Sequence, residues 1–300
     1  MSEDLSEVLS SQQEATLQFL HKQQALGLTE IVKVSKGYSE YDDLGSTLEF
    51  LFRLLGDRAA GTMALLGIVL PWDAEIVLRS YYECCVRILY ISLSAPETRE
   101  QLVDEFWNIL GAASDQRRAS KARFASKIFP TDDTASRDVF NLMQLDSMQR
   151  EKGTINKKQR QAIEQRWSFF GMINELDRLP KSTRETDQFK SLLHNYGMAS
   201  HLSHSDSGAI DLMLDRALRN QQEAGIVRMS QCSRIMSDIA SLGAFSTHSI
   251  FKCLELDANI ATKIGEEAMA IVEIGAPIHA AFRESQATFY NSWLRPNAEG

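Results

Sequence analysis

The stretch Pro71-Trp72-Asp73-Ala74-Glu75-Ile76-Val77-Leu78-Arg79-Ser80-Tyr81-Tyr82-Glu83-Cys84-Cys85-Val86-Arg87-Ile88-Leu89-Tyr90-Ile91-Ser92-Leu93-Ser94 decides the fold. Proline is tolerated in the first turn of a helix, where its missing N–H costs no intrahelical bond. Ile76, Val77, Cys84, Val86, Ile88, Leu89, Tyr90 and Ile91 then make the segment apolar nearly all round, which places such a helix at the centre of a bundle. A helix from about Pro71 to Ser94, stopped before Pro96, is expected. Arg79 and Glu83 interrupt the apolar run four residues apart, on one helical face.

A second polar stripe stands at Tyr196-Gly197-Met198-Ala199-Ser200-His201-Leu202-Ser203-His204. Tyr196, Ser200 and His204 recur every four residues, again on one face. Unpaired polar groups are costly to bury, so the two stripes are expected to satisfy each other across a helix–helix contact.

Outward from the central helix the pattern stays helical. Residues 4–35 carry apolar faces through Leu9, Leu20 and Ile31, with Gly27 as a possible break, and 36–43 read as a loop. Leu48, Leu51, Leu54 and Leu55 mark the next helix, with Gly56 and Gly61 bracketing a plausible kink. Pro96 restarts a helix bearing Leu102, Phe106 and Leu110. Pro130 to Asp133 read as a turn and helix start, and 150–158 as an exposed loop. Ile163, Trp167, Phe170 and Ile173 recur at helical spacing up to Pro180, and a short helix holds Ile210, Leu212, Leu214 and Leu218. A long one from about Ala224 to Leu254 is rich in small residues (Ser230, Ser233, Ser237, Ser241, Ala244) that allow close approach. A last helix runs from about Asn259 to Trp293, with a kink expected at Pro277. No strand alternation is convincing. The expected fold is an all-α multi-helix bundle, with residues 1–44 an N-terminal extension, 45–255 a core domain and 256–300 a C-terminal helix packed on it.

Composition narrows the function. The chain has 300 residues, 44% hydrophobic, with a formal net charge of -8, which argues against a non-specific nucleic-acid binder. One local exception is Arg117-Arg118-Ala119-Ser120-Lys121-Ala122-Arg123. It is either a solvated helix face or an anion or nucleic-acid patch formed by Arg117, Arg118, Lys121 and Arg123. The four cysteines, Cys84, Cys85, Cys232 and Cys253, form no CxxC pair and lie in apolar helical patterns. Reduced buried thiols and a cytoplasmic location are expected. The N-terminal Met1-Ser2-Glu3-Asp4 has no hydrophobic signal region, and Met63 to Leu70 is too short to span a bilayer. No membrane association is expected.

The common phosphate-loop, dinucleotide, zinc-protease and serine-hydrolase motifs are absent. Three readings are open for His201 and His204: buried hydrogen-bonded histidines, a general acid or base, or metal ligands with Glu83. His204, sharing a face with Tyr196 and Ser200, is the preferred acid or base. No cofactor or metal is expected. Ser203 to Gly208 also read as a helix end passing into a new N-cap.

The Arg79-Ser80-x-Tyr82-Glu83 block, joined by Tyr196-x-x-x-Ser200-x-x-x-His204, resembles a bacterial family of helical proteins described only as a domain of unknown function. The resemblance spans roughly residues 45–255. That family is in turn similar, more loosely, to HEPN-like bundles, which include abortive-infection proteins, toxins and RNases. The resemblance implies a defence or stress component whose Arg79, Glu83, Tyr196, Ser200 and His204 form a polar site. Its partners would be RNA or another defence-system protein, and a homodimer is implied, with the small-residue helix at Ser230–Ala244 as the contact. The catalytic HEPN proteins cleave RNA without metal through an Arg and a His four to six residues later. None of the six histidines here follows an Arg at that spacing. Two functions are therefore carried forward: a non-catalytic component with a structural polar network, and a metal-independent RNase or nucleotide-binding effector with Arg79 as phosphate clamp.

Overall fold

In the computed structural model, residues 2–128, 133–135, 137–142, 157–179 and 190–294 are described. The helices are α1 (Ser2–Ile31), α2 (Leu44–Gly67), α3 (Pro71–Leu93), α4 (Pro96–Asp104), α5 (Gly111–Ala125), α6 (Lys157–Arg166), α7 (Phe169–Arg178), α8 (Ser191–His204), α9 (Ser207–Ala217), α10 (Gln221–Cys253) and α11 (Ala258–Leu294). A short 3-10 turn lies at Gly37–Glu40, and among the described residues there is no strand. The all-α bundle is what the periodicity predicts. No helix among the described residues is long and apolar enough to cross a membrane.

The helix starts are encoded locally. Asp43 caps α2 by accepting from the Ser46 N–H at 3.1 Å, and Pro71 opens α3. Asn220 and Glu223 close a reciprocal capping box on α10, satisfying two end groups at once. The expected turn at Pro130 and the approach to α8 at residues 180–186 lie outside the described residues, as does most of the 150–158 loop.

α3 is the central helix. Leu78, Tyr81, Tyr82, Cys85, Val86, Ile88, Leu89 and Ile91 are fully buried, packed between α2, α10, α7 and α8. α10 and α11 form a long hairpin joined by a short connection, and α1 lies against both. Phe19, Leu20 and Ile31 of α1 belong to the same core as α3.

Two glycines expected to interrupt helices do not. α1 continues through Gly27, where a Cβ would lie 2.5 Å from the Phe52 ring. The residue is small because α2 crosses there. Gly56 likewise sits inside an unbroken α2, with the Gln24 side chain 2.4 Å from where its Cβ would be. Helix interiors tolerate glycine at a cost of about 1 kcal/mol, and close packing offsets it here.

Much of the small-residue face of α10 is occupied from within the chain, although Ser241 is exposed. Gln12 of α1 donates to the Ser233 carbonyl at 3.2 Å, to Ser237 Oγ at 3.1 Å and to the Ile271 carbonyl of α11 at 3.2 Å. Gln23 donates to Thr247 Oγ1 at 2.9 Å. Ser233 also meets His279 Nε2 at 3.2 Å. Burial, with Arg283 and Arg234 nearby, holds the His279 imidazole below its ordinary value. The unfolded chain therefore takes up this proton more readily than the native one, so stability is lost as pH falls below about 6.5. Melting temperatures measured between neutral and mildly acidic pH should show that loss, and His279→Gln should flatten it.

All four cysteines are free and buried. Burial pushes the Cys84 thiol up to about 12 and that of Cys232 up to about 11, so neither is a reactive thiolate.

Candidate functional site

The two stripes meet. α8 lies along α3, and Arg79 donates from Nη2 to the Tyr196 hydroxyl and from Nη1 to Ser203 Oγ, both at 2.8 Å. The Tyr196 hydroxyl in turn donates to Glu83 Oε1 at 2.9 Å. Arg79 Nε is 3.7 Å from the same carboxylate oxygen, while Arg87 approaches the other at 3.4 Å. The Tyr196 ring stacks on Phe169 with centroids 3.9 Å apart and planes 8° from parallel. Burial raises the Tyr196 phenol, and Glu83 adds to this against the pull of Arg79. The phenol is therefore a neutral donor. The node is neither sealed nor open, since the Arg79 and Glu83 side chains keep 24% and 29% of their exposure.

Ser200 and His204 stand apart from it. His204, the last residue of α8, is exposed and makes no hydrogen bond or ion pair with Arg79, Glu83 or Tyr196. Ser200 contributes its carbonyl, which accepts from Ser203 Oγ at 2.9 Å. Helical geometry explains the substitution of one serine for another. A step of four residues overshoots a turn by about 40°, so His204 lies about 80° from Tyr196, whereas a step of seven returns to within about 20°. Ser203 is the seventh residue. His201 is also exposed and bonds Asp206 at 2.8 Å. Its hydrogen bond, with those of the Ala209 and Gly208 N–H groups, holds the Asp206 carboxyl below its ordinary value. Asp206 caps α9, as expected from the sequence around Ser205.

A larger polar network, unanticipated, adjoins the node along α3. Glu75, fully buried, is ion-paired with Arg234 of α10 and accepts from Gln231 Nε2 at 3.1 Å. Arg234 donates to Asp238 Oδ2 at 2.7 Å and to the Tyr82 hydroxyl at 3.1 Å. Tyr82 donates to Asp238 as well. Burial drives the Asp238 carboxyl up, against the pull of Arg234. Asn195 Nδ2, adjacent to Tyr196 on α8, reaches Asp238 at 3.5 Å. α8 thus touches both networks. The signal was present: Glu75, Arg79, Tyr82 and Glu83 fall at i, i+4, i+7 and i+8, one stripe longer than the pair that drew attention.

A third cluster forms at a π-helical turn, Glu105–Leu110, between α4 and α5. Such turns are rare and rotate the following residues out of α register. Here Glu105, 3% exposed, accepts from Trp167 Nε1 at 2.9 Å and Gln101 Nε2 at 3.0 Å and pairs with Arg166. Arg166 also lines a cavity of about 220 Å³ with Tyr90, Ser94, Gln101 and Glu175.

The basic segment occupies the exposed side of α5. Arg117 pairs with Glu164 at 3.1 Å and Arg118 with Asp115 at 2.6 Å, while Lys121 and Arg123 are exposed. α5 packs chiefly on the π-turn rather than on α3 or α8, so these cations do not rim the Arg79 node. Among the described residues no group of three or more His, Cys, Asp or Glu side chains is placed to hold a metal ion. No protein-family model matches the chain, and no curated protein or solved structure matches it either.

Proposed function

We propose that this chain is a non-catalytic helical component of the bacterial defence or stress class, with an HEPN-like core. In this reading it acts in the cytoplasm through another protein, and the Arg79–Tyr196–Glu83 node is a latch that seats α8 on the central helix. One observation supports it most directly. Each charge in the node has its partner inside the chain, and His204, the residue that an RNA-cleaving reading needs, points away from it. α8 buries only Leu192 and Ala199, so hydrogen bonds and the Phe169 stack hold it more than apolar area does.

Tyr196→Phe removes both hydroxyl bonds while keeping the stack. It should cost about 1–2 kcal/mol and speed amide hydrogen exchange in α8, with α10 unchanged. His204→Ala should leave melting temperature and exchange unaltered. RNA cleavage by the purified chain that disappears in His204→Ala would overturn the non-catalytic reading and favour the nuclease.

A further inference from the structure

Two helices turn apolar stripes outward. On α9 and its C-cap residue, Ile210, Met213, Leu214 and Leu218 are each 54–62% exposed, at i, i+3, i+4 and i+8, and so on one face. α9 is seated by its opposite side: Arg216 stacks on Trp72 with 3.9 Å between guanidinium carbon and ring centroid and bonds Gln231, and Ala209 is buried. On α5 and the turn that follows it, Phe124 and Ile128 are 71% and 69% exposed, four residues apart on one face. Contiguous exposed apolar surface at helical spacing marks a contact with something else.

The charges bordering the stripes are opposite. Asp211 edges the α9 stripe, next to Asp215, which is paired with Arg219, while Lys121, Arg123 and Lys127 flank the α5 stripe together with Arg117, which is paired with Glu164, and residues 116–128 contain no acid. Within one chain both stripes remain exposed, so they do not cover each other. Pairing α9 with α9 of a second copy would bring the aspartates together. Pairing α5 with α5 would crowd the cations. Like charges across an interface cost affinity and opposite charges fix register.

We infer that the chain associates with itself head to tail, the α9 stripe of one copy seating on the α5 stripe of the next. This is independent of the reading of the Arg79 node. Because the two surfaces differ, the contact is head to tail and builds an open filament or a closed ring, the smallest ring being two copies joined by both contacts. A single helix pair falls at the small end of specific interfaces, below about 1,200 Å². The association is therefore weak and salt-sensitive.

Sedimentation velocity on the full chain, from about 10 μM to about 1 mM, tests it. The weight-average sedimentation coefficient should rise with concentration, less so in high salt. Met213→Glu on α9 and Phe124→Glu on α5 each should weaken association about tenfold or more. Both positions are exposed, and circular dichroism checks the fold. Mixed in equal amounts, each variant supplies the face the other lacks, so one-to-one dimers should form and nothing larger. If a variant misfolds, Asp211→Lys and Lys121→Glu should each weaken association without altering apolar area, and mixing them should restore assembly, because both α9–α5 contacts of the mixture again pair opposite charges. A wild-type chain monomeric throughout would overturn the proposal. So would a variant mixture that stays monomeric, or association lost with Met213→Glu and untouched by Phe124→Glu, which would indicate α9 self-pairing.

Discussion

Replacing Arg234 by methionine is expected to destabilise the protein by about 3–5 kcal/mol, the cost of stranding a buried ion-pair partner. Glu75 has a side chain only 1% exposed, and one of its carboxylate oxygens already lacks a hydrogen-bond partner. Gln231 would remain as its single donor. Asp238 would keep Tyr82 and Asn195 but lose its only cation among these contacts. Equilibrium urea unfolding measures the loss directly. The double variant Glu75→Leu/Arg234→Met should recover the share due to Glu75, because replacing both members of a buried pair with apolar groups is often close to neutral, and leave the share due to Asp238. A single variant as stable as the parent would mean that water enters the α3–α10 contact and solvates Glu75. Glu83 keeps more than a quarter of its exposure, so the larger penalty falls on Glu75, two turns earlier on the same stripe.

Glu105→Ala should be nearly as damaging, at about 3 kcal/mol. The carboxylate is the shared acceptor for the Trp167 indole, Gln101 and Arg166, and its removal leaves a buried indole N–H and a guanidinium unpaired at once. Loss should therefore show as a lower urea midpoint together with a red shift in tryptophan emission as Trp167 gains water. Glu105→Gln, which retains one acceptor oxygen, should lose roughly half as much. A full loss in Glu105→Gln would assign the effect to charge rather than to hydrogen bonding.

The sequence by itself determined the helices and the identity of the central one. Pro71, Pro96, Asp43, Asp206 and the Asn220/Glu223 box act within a turn of where they stand, and the apolar circumference of α3 can be satisfied only by surrounding it. These are local effects, readable at a spacing of three or four residues. The meeting of Arg79 with Tyr196 was also legible, since half-buried polar groups on two apolar helices need partners. Tertiary structure decided which neighbours complete the node. Four-residue repeats drift around a helix, so His204 and Ser200 were carried off the contact face and Ser203 was brought onto it, and the size of that drift matters only once a partner helix fixes where the face is. Gly27 and Gly56 show the same division. Their residue type reads as a break in isolation and as room for Phe52 and Gln24 once α1 and α2 pack. Arg234 and Asp238, four residues apart, lie far in the chain from Glu75 and Tyr82, and Glu105 lies far from Arg166 and Trp167, so no short spacing announces those pairings. Only the packing of α10 against α3, and of the π-turn against α6, gave these charges their partners.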